Sequence, residues 1–159
     1  MPVELIAIVS DVPELTLAEM EPVVVALQTQ IDRDFGPEWG VAARVIAVEP
    51  GRQPPAEAWT VTVTRHVEGQ QSGFHLDHDG LPYATIEYAA DWSLGASHEL
   101  LEMLVDPLGE RVVSGPAPTD GTEVHFLVEV CDPCQEANHA YAIDGVSVSD
   151  FLTRAYYDP

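Results

Sequence analysis

Residues 93–107 read SLGASHELLEMLVDP, and this stretch limits the fold more than any other part of the chain. Wound as a helix at about 100° per residue, it spreads Leu100, Leu101, Met103, Leu104 and Val105 over an arc from about 140° to 340°, with Ala96 and Ser97 inside that arc. With His98 at zero, Glu102 falls at about 40°, Asp106 at about 80° and Glu99 at about 100°. The helix therefore has one face to bury and one narrow polar stripe made of His98, Glu99, Glu102 and Asp106. It stops at Asp106, because Pro107 disfavours helix in the residue before it.

The rest of the chain supplies partners for that face. Residues 3–9 (VELIAIV) suit a strand, and 17–35 read as a helix from about Pro22, ended by the GPEWG segment. Residues 41–48 and 58–66 are expected strands separated by a proline-rich loop. Asp79-Gly80 is a turn signal before a strand at 83–89. After the helix come a loop, LGERVVSGPAPTDGTE, a strand at 124–130, a short strand near 141–148 and a helical turn in SDFLTRAYYDP. The order β-α-β-β-β-α with a looser C-terminal third implies an α+β fold on a mixed sheet. At 159 residues, residues 1–159 read as a single domain, long enough to bury a core without staples.

Charge narrows the function classes. The formal net charge is −21, lysine is absent and the six cations are all arginines, at 33, 44, 52, 65, 111 and 154. With a single asparagine, Asn138, this composition fits GC-rich bacterial coding or a salt-adapted host. Such a surface repels nucleic-acid phosphates and anionic lipid and favours metal cations. The segment MPVELIAIVSDVPE has no basic leader, and no apolar run approaches the ~20 residues of a membrane span. The expectation is a cytoplasmic protein with no nucleic-acid or membrane partner.

The polar stripe has two readings. One is a solvated face, as expected of an acidic protein. The other is a metal site: His98 and Glu102, four apart, reach one cation from the same side, while Glu99 is offset so that it holds a water there rather than ligating. The third ligand comes from elsewhere, with Asp106 placed first and Glu129 and Asp132 behind it. Asp106 lies roughly 12 Å along the axis from His98 and ligates only if the helix unwinds at Pro107. Glu129 and Asp132, in LVEVCDPC, are acids at the end of an apolar strand, where a buried carboxylate wants a cation or several donors.

His98-Glu99-Leu100-Leu101-Glu102 resembles the H-E-x-x-H helix of zincin metallopeptidases, with glutamate in place of the second histidine. The resemblance covers the element order from residue 3 to 106 and implies a zincin-like single domain with a long N-terminal helix and an active-site helix. It implies a divalent metal, zinc first with Mn²⁺ or Ca²⁺ open, on His98, Glu102 and Asp106, with Glu99 as general base in hydrolysis of a peptide or protein substrate. It also implies an edge strand along the cleft, for which LPYATIEYA stands in the corresponding place. SHELLEMLVDP, VEVCDP and VSDFLTRAYYDP are similar to a family of small bacterial and phage proteins that bears this helix without an assigned activity. The alternative it leaves open is an inactive zincin-fold binding or structural protein, phage-associated, with a structural metal or none.

Other constellations are weaker. Cys131-Asp-Pro-Cys134 has the C-x-x-C spacing of a thiol oxidoreductase but lacks the strand–turn–helix setting that lowers a thiol pKa. With His125 and His139 it has the makings of a small zinc site, though two packed, reduced cysteines is the simpler reading. His75, Asp77, His78 and Asp79 in FHLDHDG are read as a hairpin tip, with a second cation site or substrate contact as the functional option. Tyr83 and Tyr88 flank the expected edge strand. Tyr141, Tyr156 and Tyr157 are read as packing, and Ser97 diverges too far from His98 to form a catalytic pair.

Overall fold

The computed structural model describes residues 3–69, 72–136 and 138–157. It is α+β. A five-stranded sheet has the order β2 (Ala43–Ala47), β1 (Glu4–Ser10), β3 (Trp59–Thr64), β5 (Leu81–Glu87), β4 (Gly73–His78). All pairs are parallel except β4 with β5, which form an antiparallel hairpin. Asp79 and Gly80 turn that hairpin with φ of 53° and 80°, the left-handed pair that a two-residue connection needs.

Strand composition follows position. Ile6, Ala7 and Ile8 of central β1 are all fully buried, as expected of a parallel strand covered on both sides. In β3 the alternation WTVTVT sends Val61 and Val63 into the main core and the threonines to the other face. Ile6, Ile8, Val61, Val63, Ala84 and Ile86 meet α1 (Leu17–Gln30) and α3 (Trp92–Val105) in one cluster. The opposite face carries only a small cluster of Ala7, Val48 and Ala58. No described helix is long and apolar enough to cross a membrane.

Several boundaries differ from expectation for identifiable reasons. Helix α1 starts before Pro22, because Glu19 reaches back to the Thr16 N–H at 2.9 Å and caps the helix there. The helical run then continues through a π turn (Ile31–Phe35) and α2 (Gly36–Trp39) to Gly40, whose φ of 68° ends it. The strand read at 83–89 is β5, and it is not an edge. β4 takes the edge, so Tyr83 and Tyr88 do not flank it as expected. The expected loop after α3 contains β6 (Val112–Pro116), paired only with β7 (Glu123–Leu127). The strand expected near 141–148 is a hairpin, β8 (Tyr141–Ile143) and β9 (Val146–Val148), turned by Asp144 and Gly145. A last helical turn, α4, spans Arg154–Tyr157.

The C-terminal third is tied down by a buried polar network. The Ser97 hydroxyl donates to Gln30 Oε1 at 2.7 Å and accepts from the Ser149 N–H at 2.9 Å. Gln30 Nε2 donates to the Ser149 carbonyl at 2.8 Å and to the Tyr141 hydroxyl at 3.1 Å. Tyr141 in turn donates to Asp34 at 2.9 Å. One serine thus joins α1, α3 and the segment after β9. Replacing it by alanine leaves a buried acceptor and a buried donor unpaired. The Ser97→Ala variant is expected to lose about 2–4 kcal/mol of unfolding free energy in urea titration, at about 1–2 kcal/mol per orphaned group.

Candidate metal centre

Helix α3 is buried on nearly every side, including the stripe that a solvated reading would expose. Glu99 and Glu102 are only 7% and 3% exposed. They face a groove of about 770 Å³ bounded by β4, the first half of α3 and residues of the 127–135 segment. Taking ionisable side chains out of water is costly unless other groups replace the water. The groups that do so here come from four parts of the chain.

Glu102 is at the centre. Its Oε1 accepts from the Cys131 and Asp132 N–H groups at 3.0 and 3.2 Å. Its Oε2 lies 3.2 Å from His98 Nε2 and 3.9 Å from His75 Nδ1. His98 Nε2 is also 3.2 Å from Asp132 Oδ1. The approach to Asp132 follows from backbone: the short 3₁₀ turn Asp132–Cys134 begins where the Glu102 carboxylate gathers the two amides.

His75, on β4, enters from the other side. Its Nε2 sits 3.1 Å from the Asp106 carbonyl, which can only accept, so that nitrogen carries the proton. Nδ1 then points to Glu99 Oε2 at 3.4 Å as well as to Glu102. Gly73 of the same strand makes room, because a Cβ there would lie 2.8 Å from Glu99 Oε1. Glu129 completes the cluster, with a buried Oε2 that has no hydrogen-bond partner among the described residues.

Six ionisable groups therefore meet without an arginine. The ion pairs of Arg33, Arg52 and Arg65 lie elsewhere, and Arg111 donates to the Val105 carbonyl. Burial works against the charged form of His98, but Asp132 and Glu102 outweigh it and push the ring up to about 10. Burial, then the neighbouring Glu102 charge, pushes Glu129 up to about 7. Burial also raises Glu99, while the hydrogen bond from His98 holds Asp132 below the usual carboxylate range. In the metal-free chain, protons thus stand in for positive charge.

Two donor groups could hold a cation: His98, Glu102 and Asp132, and His75, Glu102 and Glu129, each with its ligand atoms within 4.8 Å of one another. Atoms bound to one ion at about 2.0–2.2 Å stand roughly 3–3.5 Å apart in a tetrahedral arrangement. The two 3.2 Å separations around His98 Nε2 match this spacing.

Of the residues singled out in the sequence, His98, Glu99 and Glu102 come together, and Asp132 and Glu129 join them. Asp106, placed first as third ligand, stands outside both groups. Its Oδ1 and Oδ2 accept from the Glu110 and Arg111 N–H groups at 3.0 and 2.8 Å, so the carboxylate closes the loop after α3. Its contribution to the centre is the backbone carbonyl that orients His75. Grouped with the hairpin tip, His75 was misplaced: Asp77, His78 and Asp79 are exposed, whereas His75 is buried. The alternation Gly73-Phe-His75-Leu-Asp77 was the available signal, since period two separates His75 from Phe74 and Leu76.

The remaining candidates lie apart. Cys131 and Cys134 are buried free thiols, both pushed up first by burial, Cys134 to about 11. Neither belongs to a described donor group, and a raised thiol pKa is opposite to what thiol redox chemistry requires. His125 pairs with Ser114 on the exposed β6–β7 hairpin. Comparison with protein families, characterised proteins and solved structures returns no match.

Protonated His98 has a testable consequence in metal-stripped protein. Its folded pKa lies above the unfolded value of about 6.5, so its ion pairs stabilise fully below that pH and are lost as pH climbs through about 10. The melting-temperature gap between wild type and His98→Gln, read by circular dichroism, is expected to be widest near pH 6 and to shrink toward pH 10. A gap that grows with pH would contradict a protonated ring.

Proposed function

We propose that the chain is a zincin-like, metal-dependent hydrolase that cleaves peptide bonds, with its ion on His98, Glu102 and Asp132 and with Glu99 as general base. One observation carries the reading: three donor atoms within 4.8 Å of one another, with both carboxylates 3.2 Å from His98 Nε2, sit beside a carboxylate that belongs to neither donor group but opens on the same groove. One imidazole with two carboxylates suits zinc and also harder ions such as Mn²⁺ and Ca²⁺. A divalent ion on these donors supplies Lewis acidity, polarising a carbonyl and acidifying water.

The chain's own residues account for the remaining steps. Glu99 takes the proton of the attacking water and passes it to the leaving amine, a role helped by burial, which raises the pKa of its carboxyl above the ordinary value. Gly73 gives the Glu99 carboxylate space. Among the described residues β4 has a strand neighbour on one side only, and Gly73 to Leu76 line the groove. Its free backbone edge suits an extended peptide added as a further strand. The role expected of LPYATIEYA thereby passes to the preceding strand.

Two variants test this. Glu99→Gln is expected to keep the metal content of wild type, measured by mass spectrometry of the metal, while peptidase turnover falls roughly 10²–10⁴-fold. Gly73→Ala is expected to hold metal and fold but to lower kcat, because its Cβ displaces the Glu99 carboxylate. Metal retained with no turnover on any peptide would favour a structural cation in a binding protein, and metal absent at saturation would end the hydrolase reading.

A further inference from the structure

The second donor group raises a separate question, because both histidines do not fall in one group with Glu102. An ion on His98, Glu102 and Asp132 leaves His75 Nδ1 and Glu129 unanswered. We infer that the groove holds a second divalent cation on His75 Nδ1, Glu102 and Glu129, with the Oε2 of Glu102 shared between the two ions. The inference rests on the hydrolase reading for its first ion and adds a site with its own ligands.

Three features argue for a cation rather than a proton. The Asp106 carbonyl holds a proton of His75 on Nε2, which leaves Nδ1 as the nitrogen that faces the carboxylates and can take an ion, the arrangement of a metal-binding histidine whose other nitrogen is bonded to a backbone carbonyl. A proton on Nδ1 would answer Glu99 at 3.4 Å but would leave Glu129 Oε2, buried and without a partner, as it is. One cation reaches His75, Glu102 and Glu129 together, since their ligand atoms lie within 4.8 Å of one another.

Glu129 is also held in place. Tyr157 donates to its backbone carbonyl at 2.6 Å, and the Leu152 N–H donates to the Val130 carbonyl at 2.8 Å, so the C-terminal segment presses the Glu129 stretch toward α3. A pinned backbone with an unpartnered carboxylate oxygen is a ligand position already organised for an ion.

Charge balance points the same way. Ligating imidazoles give up their extra proton, and no arginine among the described residues pairs with Glu99, Glu102, Glu129 and Asp132, so with both rings neutral a single divalent ion leaves the groove anionic. Two such ions neutralise it. A carboxylate shared by two ions is the usual link in two-metal hydrolytic centres, where the pair stabilises both the attacking and the leaving groups.

The test is stoichiometry with Mn²⁺ alone, by metal analysis after dialysis and by electron paramagnetic resonance, where two ions joined by one carboxylate give a spin-coupled spectrum. Wild type is expected to hold two equivalents and the coupled signal. Glu129→Gln and His75→Gln are expected to hold one equivalent with an isolated Mn²⁺ spectrum, and Glu102→Gln none. Glu129→Gln keeps the side-chain shape and removes a buried charge, and its melting curve checks the fold. The wild-type spectrum needs no variant. One equivalent in wild type, unchanged in Glu129→Gln, overturns the second site and leaves the hydrolase reading standing. One equivalent lost in Glu129→Gln but kept in His98→Gln overturns the pair by placing a lone ion on His75, Glu102 and Glu129. No bound Mn²⁺ overturns both.

Discussion

The structure is organised around one carboxylate that has been taken out of water. Glu102 sits on a helix whose remaining surface is core, so its charge cannot be relieved by solvent. Two backbone amides satisfy one oxygen, and two imidazoles approach the other. That requirement pulls three distant segments to a common point: the edge strand with His75, the 128–132 stretch with Glu129 and Asp132, and the loop held by Asp106. A buried anion is poor as a source of stability, but it is selective about what may surround it.

Helix α3 is gripped from two directions. On one side Ser97 is locked to Gln30 and Ser149. On the other, Glu102 is locked to the Cys131 and Asp132 amides. A site held this way has little freedom to rearrange, which is the condition for ligands to keep their geometry before an ion arrives. Asp106 shows how economically this is done: the side chain closes the loop after the helix while the carbonyl fixes the tautomer of a histidine.

The acidic composition has two different meanings in this chain. Most carboxylates lie on the surface and need only water. Around His75 and His98, Glu99 and Glu102 are enclosed, Glu129 is partly buried and Asp132 is more than half exposed, and no arginine pairs with them among the described residues. The first class gives the surface a field that draws cations toward it; the second, with the two histidines, forms groups that could hold one.

Local sequence determined the helical stripe, because spacing along one helix fixes which side chains share a face: His98 and Glu102 were bound to stand together wherever the helix went. It determined the α+β order and the Asp79-Gly80 turn for the same reason, since periodicity and turn chemistry act over a few residues. It did not determine which strand was the edge, as a strand's neighbours are chosen by the whole sheet. It offered His75 only as one residue of a hairpin tip, because what separates it from Asp77, His78 and Asp79 is burial against a carbonyl 31 residues away. Nor could it separate Asp106 from Asp132: both are acids beside a proline, and only the folded backbone supplies amides to one carboxylate and a facing imidazole to the other. Distances along a helix are written in the chain, whereas the solvation of a buried charge is decided by whatever the fold brings within reach.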